Sequence, residues 1–162
     1  AGQAIAAVVE DRANIDYRQL TAVDHNGGIG HFTGGNILGT NAVSEGDNCV
    51  AAGNLLSSAA VPDAMTAAFA ANADQHLAER LLRALEAGVA AGGEEGPVHS
   101  AALVVHDEQP FALVDLRCDW DDDDPIVRLR RLWTDYEPQM QAYLDRALNP
   151  SAAPSYGVAG DP

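Results

Sequence analysis

Leu20-Thr21-Ala22-Val23-Asp24-His25-Asn26-Gly27-Gly28-Ile29-Gly30-His31-Phe32-Thr33 reads as a β-hairpin: two short apolar runs flank an Asp-His-Asn-Gly-Gly turn whose residues tolerate the backbone angles of a tight reversal. Upstream, Ile5, Val8 and Val9 recur at helical spacing between Gly2 and Asp11, in a helix that starts with neither a capping residue nor a preceding loop. Downstream, Gly34 to Asp47 is polar and glycine-rich and reads as a loop, and Asn48 to Leu56 as a strand in which Gly53 implies a close backbone approach. One helix begins at Pro62 with Met65, Ala68 and Phe69 on a face. A second begins at Asp74 with Leu77, Leu81, Leu85 and Val89 on a face, includes a Glu79–Arg83 pair, and stops at Gly92-Gly93. Ala101–Val105 and Phe111–Arg117 read as adjacent antiparallel strands, and Asp121 to Asp124 lead into Pro125 and a helix that shares Ile126, Leu129 and Trp133 on one side. The order is α+β, with antiparallel connections and no βαβ alternation.

Composition narrows the function classes. The 162 residues include 30 alanines and are 47% hydrophobic but only 6% aromatic, so one core of mostly small side chains is expected. The net charge is -15, and all nine basic residues are arginine. Such a field repels nucleic acid and anionic membrane surfaces. It fits either a halophilic protein, whose self-repulsion concentrated salt screens, or an acidic protein of a GC-rich genome. Cys49 and Cys118 have no CxxC or CxxH companions, which excludes a disulfide framework and gives no zinc pattern. There is neither an apolar run long enough for a membrane span nor a signal-peptide pattern, so a cytoplasmic location is expected. Residue 1 is Ala, so the chain is expected to start partway through a longer product.

Motifs for common hydrolase, nucleotide and zinc sites are missing from the sequence. Gly27, Gly28 and Gly30 are explained by hairpin geometry. The acidic run from Asp119 to Asp124 lacks the ligand spacing of a calcium loop and reads as helix-capping chemistry. His25, His31, His76, His99 and His106 show no metal-ligand spacing, and Cys49 reads as a small buried strand residue. Asp115 and Arg117 fall on one strand face with Phe111 and Leu113, where they could brace one another and leave donors for a substrate carbonyl or carboxylate, or form an edge-strand ion pair. Asn54, at a strand end beside a glycine, is either an amide donor to a developing oxyanion or a turn cap.

Tyr17-Arg18-Gln19-Leu20, Phe32-Thr33-Gly34, Ala52-Gly53-Asn54-Leu55-Leu56, Leu77-Ala78-Glu79-Arg80-Leu81-Leu82, Ser100-Ala101-Ala102-Leu103-Val104-Val105, Val114-Asp115-Leu116-Arg117 and Asp124-Pro125-Ile126 occur in order. Together they resemble one family, domain of unknown function 1028, over about Gly2 to Tyr143. The resemblance implies membership of the N-terminal-nucleophile (Ntn) hydrolase superfamily and a four-layer αββα sandwich of antiparallel sheets. Residues 1–148 would be the C-terminal portion of that single domain and 149–162 a Pro- and Gly-rich tail. It further implies that the first strands and the N-terminal nucleophile, whose α-amino group acts as base, lie on a missing N-terminal segment or second polypeptide. That piece would also cover a sheet edge or face otherwise left unpaired. Asn54 inherits a candidate catalytic role, and Asp115, Arg117 and Thr33 candidate substrate-binding roles, with no metal and no cofactor. Leu38-Gly39-Thr40-Asn41 departs from the Trp-Ala-Gly-His stretch of many members. The implied activity is hydrolysis of a small-molecule amide C–N bond by acyl transfer in a homo-oligomer. The alternative is a non-catalytic binding or scaffold protein of the same fold.

The charge reading is checked by thermal melts in low and in molar KCl. The midpoint is expected to rise with salt, and equal midpoints would leave only an acidic composition.

Overall fold

Asp24 closes the first hairpin. Its carboxylate accepts hydrogen bonds from the N–H groups of Asn26 (3.0 Å) and Gly28 (2.9 Å), and the backbone nitrogen of Ala1 lies 2.6 Å from it. The computed structural model describes residues 1–160. In it, β1 (Gln19–Val23) pairs antiparallel with β2 (Ile29–Thr33), with Leu20 opposite Phe32. The expected hairpin is therefore present. Helix α1 (Gly2–Val9) packs on both strands and ends two residues short of the expected Asp11, which sits at φ 53°. Gly30 makes this packing possible: a Cβ there would meet the backbone of Ala1 and Gly2 within 2.9 Å.

The expected loop from Gly34 to Asp47 is corrected. Its last part forms β3 (Ala42–Gly46), which pairs antiparallel with β4 (Cys49–Gly53) across a turn at Asp47 and Asn48. Ala-Val-Ser-Glu-Gly has little strand pattern of its own, and its pairing with β4 supplies what local propensity does not. Helix α2 (Val61–Ala71) lies on β3 and β4 and buries Phe69. Helix α3 (Leu77–Ala90) packs on α2 and is capped by His76, whose Nδ1 accepts the Ala78 N–H at 3.1 Å. Its buried face also departs from expectation. Ala78, Leu82, Ala84 and Gly88 are buried, whereas Leu77 and Val89 are 42% and 45% exposed. The cause is close helix approach: at Gly88 a Cβ would come within 2.9 Å of Met65 Cγ. The Glu79–Arg83 pair is formed at 2.5 Å, and Arg83 also donates to Asn72 Oδ1.

These elements make up the first of two compact units, Ala1–Val98; the second starts at His99. In the second, β5 (Ala101–His106) pairs antiparallel with β6 (Ala112–Cys118), and α4 (Pro125–Leu148) covers one face. Leu103, Val105, Val114 and Cys118 are buried on the sheet, as are Ile126, Leu129 and Trp133 on the helix. Asp124 caps α4 by accepting the N–H groups of Ile126 and Val127, both at 2.9 Å, with Pro125 in the first turn. Asp121 accepts from Asp123 and Asp124, which holds its own carboxyl low. The acidic run is thus turn and cap chemistry, as read. Burial along α4 stops at Trp133, although the helix continues through Pro138. The expected tail contains a short 3-10 turn at Pro150–Ala152, and Arg146 donates to the Pro154 carbonyl and lies over the Tyr156 ring. Residues 161 and 162 of that tail lie outside the described residues.

The fold is therefore mixed α and β, with three two-stranded antiparallel sheets and four α-helices among the described residues. Trp133, 1% exposed, anchors α4 to its sheet. Trp133→Ala is expected to cost about 3–5 kcal/mol, read by urea denaturation with far-UV circular dichroism.

Candidate functional site

Asn54 sits where β4 ends, followed by Leu55 at φ 51°, a left-handed conformation that costs a non-glycine residue about 1–2 kcal/mol. Three backbone bonds hold that conformation. The Leu55 N–H donates to the Leu38 carbonyl (3.1 Å), the Leu56 N–H to the Thr40 carbonyl (2.9 Å), and the Leu55 carbonyl accepts the Glu95 N–H (2.6 Å). Asn54 Nδ2 points toward the same Leu38 carbonyl at 3.5 Å, the outer limit of a hydrogen bond. An amide nitrogen carries two hydrogens, so this contact leaves one for another acceptor. Both readings of Asn54, turn cap and amide donor, are compatible with this placement.

Thr33 ends β2 opposite Gln19. Gln19 Nε2 donates to Thr33 Oγ1 at 3.3 Å and reaches the Ala42 carbonyl at 3.5 Å. Ala42 in turn pairs with Gly53, the neighbour of Asn54. Thr33, Gln19 and Asn54 therefore stand at the same end of the two hairpins of the first unit, and β1 lies against β4. Gln19 had no role in the sequence reading, although it falls within the first of the family-like motifs. An uncharged amide at a strand start has no distinctive local signal; only its reach across two hairpins marks it.

In the second unit, the face of β6 that carries Asp115 and Arg117 is the open one. The core lies on the other side, under Val114 and Cys118. The expected mutual bracing is also corrected, because Arg117 pairs with Asp119: its Nε and a terminal nitrogen lie 2.8 Å and 2.7 Å from Asp119 Oδ1. Side chains two apart on a strand stand roughly 6–7 Å from one another. The chain turn after Cys118 brings Asp119 back within reach. Asp119 first, then Asp115, raises the guanidinium's pKa further. Ser100, Ala102, Val104, Asp115, Arg117 and Asp119 line an open basin of about 390 Å³. It presents both signs of charge over a small apolar floor.

Other candidate groups are occupied or unsuited. Cys49 is half-buried, and burial pushes its thiol up, away from the nucleophilic thiolate. Ser44 shares its hydroxyl bond with Thr66 at 2.9 Å. Among the described residues no group of three or more His, Cys, Asp or Glu side chains could hold a metal ion, and no helix is long and apolar enough to cross a membrane.

The sequence profile of a family of unknown function (DUF1028) matches residues 1–129. Among solved structures the chain is similar to protein SPO2555 from Silicibacter pomeroyi, assigned to DUF1028, with 34% identity and a TM-score of 0.73 over 83% of this chain. The chain spans 58% of that relative's length. No curated protein matches it.

The turn that presents Asn54 depends on Gly39, at φ 67°, where an added Cβ would lie 3.1 Å from Leu55 Cα. Gly39→Ala combines that contact with an unfavourable φ and is expected to destabilise by about 1–3 kcal/mol, measured by thermal melting.

Proposed function

The chain belongs to the DUF1028 family, and on that premise we propose that it carries the acyl-binding part of an Ntn-type amidohydrolase, acting on a small-molecule amide in the cytoplasm. In this reading the hairpins and helices form part of an αββα sandwich. The nucleophile and its α-amino base come from polypeptide outside this sequence, on a preceding segment or a second chain. Attack of that hydroxyl or thiol on the amide carbon forms the new acyl bond and moves charge onto the carbonyl oxygen. The free hydrogen of the Asn54 amide is the donor for that oxyanion. Collapse breaks the C–N bond, the amine leaves with a proton from the α-amino group, and water then releases the acyl group as the acid. Gln19 orients the Thr33 hydroxyl for a polar substituent of the substrate. Separately, within the second unit, the basin of Asp115 and Arg117 offers both signs of charge to a polar ligand, Arg117 through donors not turned to Asp119.

The observation that supports this reading most is the Leu55 turn. Three backbone bonds hold a bulky residue in left-handed backbone right after Asn54, whose amide stands at the strand end beside it. Strain of this kind persists where surrounding structure over-determines it, often at sites of function. The test uses the protein that contains this chain, assayed against N-acyl amino acids, lactams and ureides. Asn54→Ala is expected to lower kcat/KM by about 10²- to 10³-fold with an unchanged melting temperature. Full turnover by that variant, or no hydrolysis of any of the three amide classes, would overturn the proposal and leave the binding-protein alternative.

A further inference from the structure

The core covers only the first half of α4. Ile126, Leu129 and Trp133 are at most 8% exposed. Tyr136, Met140, Tyr143 and Leu144 continue the stripe at three- and four-residue spacing, yet are half-buried or exposed. Phe111, just before β6, and Ala112 and Leu113, at its start, line a cavity together with this second half of the helix. The two elements enclose a groove of about 450 Å³, which runs into a hollow of about 130 Å³ that reaches Leu148. The Tyr136 hydroxyl already donates to the Leu113 carbonyl at 2.9 Å. The walls otherwise offer aromatic and aliphatic surface.

The rim has the opposite character. Asp107 and Glu108, in the β5–β6 connection, line the end near Leu148. Glu137 is exposed on α4 beside Tyr136. The cation of this helix half, Arg146, is turned to the tail, where it donates to the Pro154 carbonyl at 2.6 Å and lies 4.5 Å from the Tyr156 ring centre.

We propose that this groove is the docking site for a cationic amphipathic helix of another protein. Its apolar side chains, at helical spacing, would lie on Phe111, Met140 and Leu144, and its Lys or Arg side chains would face Asp107, Glu108 and Glu137. Charge favours this occupant over a second copy of the chain and over a lipid surface. A second copy of the chain would bring its own -15 charge and the same acidic rim, and an anionic lipid surface would be repelled in the same way. The inference does not depend on the catalytic reading, since none of the residues assigned to that site lines the groove.

The probe is a fluorescently labelled helix-forming peptide of about fourteen Leu and Lys residues with one apolar face, compared with its Leu and Glu counterpart by fluorescence anisotropy. The Lys peptide is expected to bind at physiological salt, and the Glu peptide about tenfold or more weaker. The double variant Asp107→Asn/Glu108→Gln should weaken binding and flatten its salt dependence. Met140→Glu decides between a seated helix and general attraction to an acidic protein: it adds negative charge but spoils the apolar seat. A loss of about tenfold or more supports the groove, whereas unchanged or tighter binding overturns it. Leu144→Gln gives the same reading should Met140→Glu fail to fold by circular dichroism. Self-association in sedimentation equilibrium that Met140→Glu abolishes would assign the groove to a second copy and overturn the proposal.

Discussion

Close approach between backbones is the constraint on which the first unit rests. With few aromatic side chains to fill space, its elements meet where a side chain is absent. At Gly30 the start of α1 lies on β2, and at Gly88 α3 lies on Met65 of α2. Gly39 does the same for the loop that touches Leu55. Packing at this density leaves each neighbour few alternative positions. The left-handed Leu55 follows from it, since two of the three bonds around it, to the Leu38 and Thr40 carbonyls, form only if the 38–40 segment lies directly against the end of β4.

Electrostatics act locally against a strongly acidic background. Arg83 links Glu79 to Asn72, and Arg117 grips Asp119. Arg80 lies 3.8 Å from the Phe69 ring centre and donates to the Phe69 carbonyl. Arg146 covers Tyr156. Each contact uses the planar, multi-donor guanidinium in a way that an ammonium reproduces poorly, by stacking on a ring, by serving two acceptors at once, or by turning two nitrogens to one carboxylate oxygen. A chain with arginine as its only basic side chain thus makes its few cations serve as connectors.

What was legible in the sequence follows the range of the forces involved. The β1–β2 hairpin and the start of α4 could be read because their signals are local: Asp24 and its turn glycines in one, Asp124 before Pro125 in the other. The family could be read from motifs in order, and the profile match over residues 1–129 agrees with it. Strand β3 could not, because Ala42–Gly46 becomes a strand only through its partner. Leucine spacing on α3 speaks for hydrophobicity, whereas the close approach to α2 is set at Gly88. The partner of Arg117 depended on a chain turn after Cys118, and Gln19 on two hairpins meeting. These contacts are non-local or set by a chain turn, so no window of sequence contains them.

Pro138 divides α4 in a way that bears on motion. Proline has no N–H, so the Thr134 carbonyl lacks its usual helical partner one turn on, just past the point where burial ends at Trp133. The helix half beyond it is joined to the buried half by a weakened backbone ladder and has no fully buried residue. Opening of that half exposes little apolar core, so amide protons after Pro138 should exchange with solvent through local fluctuations rather than global unfolding. Proximal α4 then belongs to the slow-exchanging nucleus of the second unit, and distal α4 to a separate, faster cooperative segment.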